Sequence, residues 1–216
     1  MPDLEATYLA AASKGTAPTA RSMSALSDWC VARGSAALAT AQALNDFVTS
    51  YTTPGSATYA SPGTYSFTVP YFASLTAAVN GAGGGGGGNV GPGGTGGYSA
   101  FGGVVGYGGG GGATAPAGGI GAAGGATGGD SNVAGAGAGG GIGAWDQSSD
   151  KSGTYDSFAG NGGAGGRAVK SFAGGALTPG STVTIVVGAA GGPGSGAGNQ
   201  RGAAAGANGS VTISWS

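Results

Sequence analysis

The chain has no histidine in its 216 residues, which removes Ser-His-Asp and Cys-His catalysis and histidine-ligated metal sites. Cys30 is the single cysteine, so no intrachain disulfide exists and the redox compartment is not indicated. Charge is scarce: seven basic and eight acidic residues give a formal net charge of −1. Seven scattered cations leave no electrostatic footprint for nucleic acid. No apolar run approaches the roughly 20 residues of a membrane span, so membrane insertion is not expected. The opening "MPDLEATYLAAASKG" lacks a basic region followed by an apolar one, so no secretory signal is expected.

Glycine is what the chain has instead. Of 55 glycines, four (Gly15, Gly34, Gly55, Gly63) lie in residues 1–80, leaving 55 − 4 = 51 for residues 81–216. The stretch "GAGGGGGGNVGPGGTGG" (81–97) holds twelve in seventeen positions. Glycine loses the most conformational freedom on folding and offers no side chain to a core. Charge-driven disorder does not suit a chain that is nearly neutral with 40% apolar residues. A different source of order is needed.

Outside the glycines the elements are conventional. Residues 20–50 read as helical, with Leu26, Trp29, Cys30 and Arg33, then Ala37, Ala41, Leu44 and Val48, on narrow stripes. Such stripes suit either packing on the body of the same chain or packing on a copy of itself. Cys30 within the stripe reads as a small core residue. Residues 51–63 read as a turn-rich connector. "TYSFTVP" and "SLTAAVNG" alternate as strands, as do "GRAVKSF", "STVTIVVG" and "GSVTISW" far downstream. Two strands before the glycines and three after predict a small β-sandwich base with the glycine region looped out.

Spacing within that region carries information. Every third residue from Gly85 to Gly124 is glycine twelve times in fourteen, and alanine in the other two; the two remaining registers hold four and six glycines. A left-handed helix with three residues per turn has such a preference. A collagen-like triple helix needs proline at its other positions, and only Pro92 and Pro116 occur here. The composition favours a bundle of polyglycine-II helices whose backbones hydrogen-bond to neighbouring helices. Residues 85–97 alone would span about 40 Å at a rise of roughly 3.1 Å. The fold class expected is therefore mainly β and irregular: a helical N-terminal region over 1–50, a connector over 51–63, and a β plus polyglycine-II domain over 64–216.

"PGTYSFTVPYFASLTAAVNGAGGGGGG", with "LTPGSTVTIVVGAAGG" and the closing "GANGSVTISWS", resembles the glycine-rich domains of bacteriophage tail-fibre and adhesin proteins. The resemblance covers about 62–216. It implies a β-structured base, packed polyglycine-II helices, and distal loops that recognise a host surface receptor, either a polysaccharide or an outer-membrane protein. By position, residues 1–50 would attach the protein to another virion fibre, tail or neck protein, as a homotrimer or on a trimeric fibre. The location implied is the virion, assembled after synthesis in the host cytoplasm. No cofactor, metal or nucleic acid is implied.

The candidate contact residues break the glycine pattern. "GAWDQSSDKSGTYDSFAGN" (143–161) contributes Trp145, Asp146, Asp150, Lys151, Tyr155 and Asp156, with four of the fifteen charges of the chain. Rigid amphipathic aromatics beside polar groups suit recognition. "GGYSAFGGVVGYGG" (96–109) adds Tyr98, Phe101 and Tyr107, and "GGDSN" (128–132) could form a tip turn. Asp146, Asp150 and Asp156 lack any spacing that fixes a glycosidase separation, so no enzyme is expected. Two alternatives stay open: a head or collar decoration fibre, and a non-adhesive structural or ice-binding glycine bundle.

Overall fold

The computed structural model describes residues 7–8, 10–11, 14, 23–33, 40, 43–44, 48, 54–116, 118–150, 153–196 and 202–216, with backbone alone for 145–150 and 153–157. The fold is mainly β. Among the described residues the one helix with defined bounds is α1 (Met23–Val31), helical residues also occur at 7–8, 10–11, 43–44 and 48, and there are twelve strands, ten of them in two antiparallel sheets.

The first sheet runs in the order β1 (Gly55–Tyr59), β12 (Ser210–Trp215), β3 (Ser74–Asn80), β10 (Arg167–Ala173), β7 (Ser131–Val133). The second runs β2 (Gly63–Thr68), β11 (Thr182–Val187), β4 (Ser99–Phe101), β5 (Val104–Gly106), β6 (Ala126–Thr127). Alternation sends Leu75, Ala77 and Val79 inward from β3, and Val211 and Ile213 from β12, against Phe67, Phe101, Val104, Ile185 and Val187 of the opposite sheet. Phe101 meets Phe67 and Phe172 edge-on at 5.8 and 6.1 Å between ring centroids, a favourable aromatic geometry.

Two expectations are corrected. The 51–63 stretch is not only a connector: alternating small and β-prone residues in GSATY form β1, paired from Gly55↔Trp215 to Tyr59↔Val211. Nor is the glycine region merely looped out, since it supplies β4 to β7 to the sandwich.

Eight extended glycine-rich segments continue those strands. β3 runs straight into 81–88, β5 into 107–115 and β11 into 188–195, while β7 leads into 137–144 through a turn at Ala134 and Gly135; segments 91–97, 118–125, 159–166 and 204–209 run back into β4, β6, β10 and β12. The 40 Å rod is therefore not formed, because the chain reverses at Asn89 and Val90, where the Gly88 amide donates to the Gly91 carbonyl at 2.8 Å.

Segment 81–88 is central and buried along its whole length. Its amides at 81, 84 and 87 donate to the carbonyls of Gly166, Gly163 and Gly160; those at 82, 85 and 88 donate to Gly97, Gly94 and Gly91; those at 83 and 86 donate to Ala207 and Ala204. Its carbonyls follow the same rule. Those at 81, 84 and 87 accept from Ala138, Gly141 and Ala144; those at 82, 85 and 88 from Gly109, Gly112 and Ala115; those at 83 and 86 from Gly191 and Gly194. The partner repeats every three residues, and all backbone groups of 81–88 are satisfied, as burial demands. Six neighbours result, and they also bond to one another in a closed ring: 91–97, 107–115, 159–166, 137–144, 204–209, 188–195 and back to 91–97. Segment 118–125 lies outside, held through Gly110 to Ala122 and Gly121 to Asn161.

This arrangement dictates glycine. A Cβ on Gly83, Gly84, Gly85 or Gly86 would overlap the carbonyl oxygen of Gly139, Gly110, Gly192 or Ile142 respectively. Outer segments keep one free direction, as at Gly139 and Gly192, where a Cβ would meet open space. Apart from the buried methyls of Ala82, Ala144 and Ala159, side chains accordingly appear on the outside of the lattice.

At the opposite end of the sandwich, α1 buries Ala25, Leu26, Trp29 and Cys30 in a second cluster with Ala11, Leu44 and Val48. Tyr71, in the link between β2 and β3, packs against this cluster. Arg33 closes the helix by stacking over Trp29 at 3.9 Å and donating to the Trp29 carbonyl. Of the rest of the helical reading of 20–50, Ala43, Leu44 and Val48 are helical, and most of the remainder falls outside the described residues.

Candidate functional site

The connections between glycine segments define the distal end. They are Asn89–Val90, the turn at Ala115–Pro116, the hairpin formed by β8 (Trp145–Asp150) and β9 (Gly153–Phe158), and the passage from 195 to 204, part of which lies outside the described residues. Three of the four are short. The hairpin is the large one, with six residue pairs from Trp145↔Phe158 to Asp150↔Gly153, and could project about 20 Å at roughly 3.4 Å per residue.

Its root is built into the lattice. The Ala159 amide donates to the Ala144 carbonyl at 3.0 Å, Ala144 also donates to Gly87 of the central segment, and the Gly143 amide donates to Asn161 Oδ1 at 2.8 Å. The hairpin thus grows directly out of the hydrogen-bonded glycine segments.

The hairpin gathers Trp145, Asp146, Asp150, Tyr155 and Asp156 into one two-stranded unit, with Asp156 opposite Gln147 and Tyr155 opposite Ser148. Lys151 lies outside the described residues. These three aspartates are the only residues charged at neutral pH among the described residues of the distal end, since Asp130 belongs to the β6–β7 turn beside the sandwich, where its carboxylate accepts from the Ser171 amide at 2.8 Å. The "GGDSN" turn is thus proximal, not a tip.

Tyr98, Phe101 and Tyr107 do not join this group. Tyr98 and Tyr107 flank the β4–β5 hairpin where the sandwich meets the lattice, 52% and 46% exposed. They lie at the sandwich ends of segments 91–97 and 107–115, whose other ends reach the distal connections. Phe101 is 0% exposed and belongs to the core; it has no surface with which to contact a receptor. The β pairing is the cause, because it turns Tyr98 and Tyr107 outward and Phe101 and Val104 inward.

Phe158, which breaks the glycine pattern at the end of the hairpin, is 59% exposed, and three further exposed apolar side chains near the distal end were missed: Val90 (62%), Ile120 (75%) and Ile142 (71%). Ile120 and Ile142 are single large residues in runs of glycine and alanine. That isolation was the available signal, since a lattice admits a large side chain only where it points outward.

Among the described residues, no group of three or more Cys, Asp or Glu could hold a metal ion, and no helix is long and apolar enough to cross a membrane. No protein-family model matches the chain, and neither a curated protein nor a solved structure is detectably similar to it.

Proposed function

We propose that the chain is a bacteriophage virion fibre or tail-tip protein that binds a host cell-surface receptor through loops displayed on a bundle of polyglycine-II helices. The scaffold reading is supported by the three-residue repeat of partners along 81–88. A β-strand sends its backbone groups to two sides with period two. A threefold helix turns each successive residue by a third of a circle, so three amide and three carbonyl directions serve six neighbours. Close backbone approach then takes the place of side-chain burial, which is why so many glycines are ordered.

The receptor-binding reading rests on one observation: the β8–β9 hairpin stands at the lattice end remote from the helical cluster around Leu26 and Trp29. One end is thereby free to meet a polysaccharide or an outer-membrane protein. The other attaches, through residues 1–50, to a trimeric fibre, or to a tail or neck protein of the particle. The chemistry of the distal end is that of contact. Aromatic and carboxylate side chains are carried by the hairpin sequence, and Val90, Ile120, Ile142 and Phe158 are exposed near the same end.

Binding of the purified, fluorescently labelled protein to susceptible cells tests this. Labelled protein decorates the cells, and an excess of it slows adsorption of the phage that encodes it. A folded sample that neither decorates cells nor competes with adsorption overturns the reading.

A further inference from the structure

β1 and β2 are the outermost strands of their sheets on the same flank of the sandwich, and among the described residues nothing pairs with their outer edges. Neither "GSATY" nor "GTYSFT" contains a charge or a proline. Ser56, Thr58, Thr64 and Ser66 are exposed along them. Natural proteins protect edge strands with charge, proline, bulges or brevity, and the opposite flank follows that rule: β6 has two residues, β7 has three, and the Asp130 carboxylate takes the Ser171 amide just beyond the end of β7. Among the described residues the β1–β2 flank has no such protection. The gap between the sheets near it contains an apolar cavity of about 330 Å³ lined by residues including Phe67, Val69, Tyr71 and Trp215.

We propose that this flank is a self-association surface, in which β1 of one copy pairs with β2 of a second copy and β2 with its β1. A second copy fits because the two edges run in opposite directions: β1 toward the glycine segments and β2 away from them. Rotation by half a turn about an axis parallel to the strands therefore sets β1 antiparallel to the partner's β2, and forms both pairings at once. Such a contact is isologous and closed. It merges each sheet with one of the partner, covers both edges, and leaves both glycine lattices pointing the same way. The uncharged edges bring no like charges together across the axis. A single foreign strand would cover one edge and leave the other open.

Sedimentation velocity of the full chain across the micromolar range tests this, with hydrogen exchange on the same samples. Thr58 and Ser66 lie at matching heights and are exposed, so charge can be placed there without entering the core. The wild type is expected to be a dimer whose amides in 55–59 and 63–68 gain protection with concentration. Thr58→Lys with Ser66→Lys weakens dimerisation about tenfold or more, whereas Thr58→Lys with Ser66→Glu retains it, because lysine then faces glutamate across the axis. A monomeric or trimeric wild type, a dimer indifferent to the lysine pair, or a dimer lost in the lysine–glutamate chain would each overturn the proposal. Circular dichroism establishes that every variant is folded. The proposal does not depend on receptor binding, which the adsorption assay reads separately.

Discussion

A Cβ on Gly86 would overlap the carbonyl oxygen of Ile142, a residue fifty-six positions further along the chain. No rotamer relieves such a clash, because the obstacle is backbone held in turn by the Ala204 amide. Gly86→Ala should therefore destabilise by about 3 kcal/mol or more, at the upper end of overpacking costs. Gly139→Ala places its methyl in open space at an ordinary φ, and should stabilise by about 0.4–1 kcal/mol through the unfolded chain. Thermal unfolding reads both: at about 2–4 °C per kcal/mol for a chain of this size, the two variants move in opposite directions. Equal losses would mean that the lattice does not govern where glycine is required.

The thiol of Cys30 gives a second prediction. Burial among Leu26, Trp29 and Leu44 pushes it up from its ordinary 9.0 to about 11, against the opposing pull of the Arg33 guanidinium. The native thiol should thus resist alkylation at neutral pH and react on unfolding. A raised acid favours the folded state below the unfolded value and loses that advantage as pH rises. The helical cluster should accordingly weaken between about pH 9 and 11, and Cys30→Ser should flatten that part of the profile.

Phe101 and Tyr107 separate stability from surface. Phe101→Ala removes a fully buried ring that touches Phe67 and Phe172, and should cost about 3–5 kcal/mol. Tyr107→Ala, at a half-exposed position, should cost about 1 kcal/mol or less. Denaturant melts of the two variants check the difference.

These two residues also mark what was legible in the sequence. Under a period of three, Tyr98, Phe101, Val104 and Tyr107 share one side of a helix, which is why they read as a group. Under the period of two that the β4–β5 pairing imposes, they divide into an outward and an inward pair. Three-residue strands set among glycines carry too little alternation to reveal this. The longer strands were plain, since Leu75, Ala77 and Val79, or Val183, Ile185 and Val187, repeat over enough residues. Their pairing was foreseen only in outline. The glycine register revealed the period of three but concealed the chain reversal, because the two-residue turn at Asn89 and Val90 keeps the phase from Gly88 to Gly91. The distal apolar residues were overlooked because one isoleucine in a glycine run signals an outward side chain only once the packing of the glycine segments is known.

The root of the β8–β9 hairpin sets the sharpest functional test. Exchange of the whole 143–161 stretch would remove Asn161, whose side chain holds the Gly143 amide, together with Gly160, which bonds to Gly87 and Ala113. A loss of binding would then be confounded with damage to the lattice. Replacing 145–158 by a short glycine turn preserves the Ala144–Ala159 bond, and a two-residue reversal already closes the neighbouring pair at Gly88 and Gly91. The shortened chain should melt within a few degrees of the parent, since an excised surface hairpin takes few lattice contacts with it. It should nevertheless fail to decorate susceptible cells or slow adsorption. Grafting the hairpin of a phage with a different host onto the same root should transfer binding to that host. A shortened chain that still decorates cells at the parental level would move recognition to the remaining tips, where Val90, Ile120 and Ile142 are the exposed residues to exchange next.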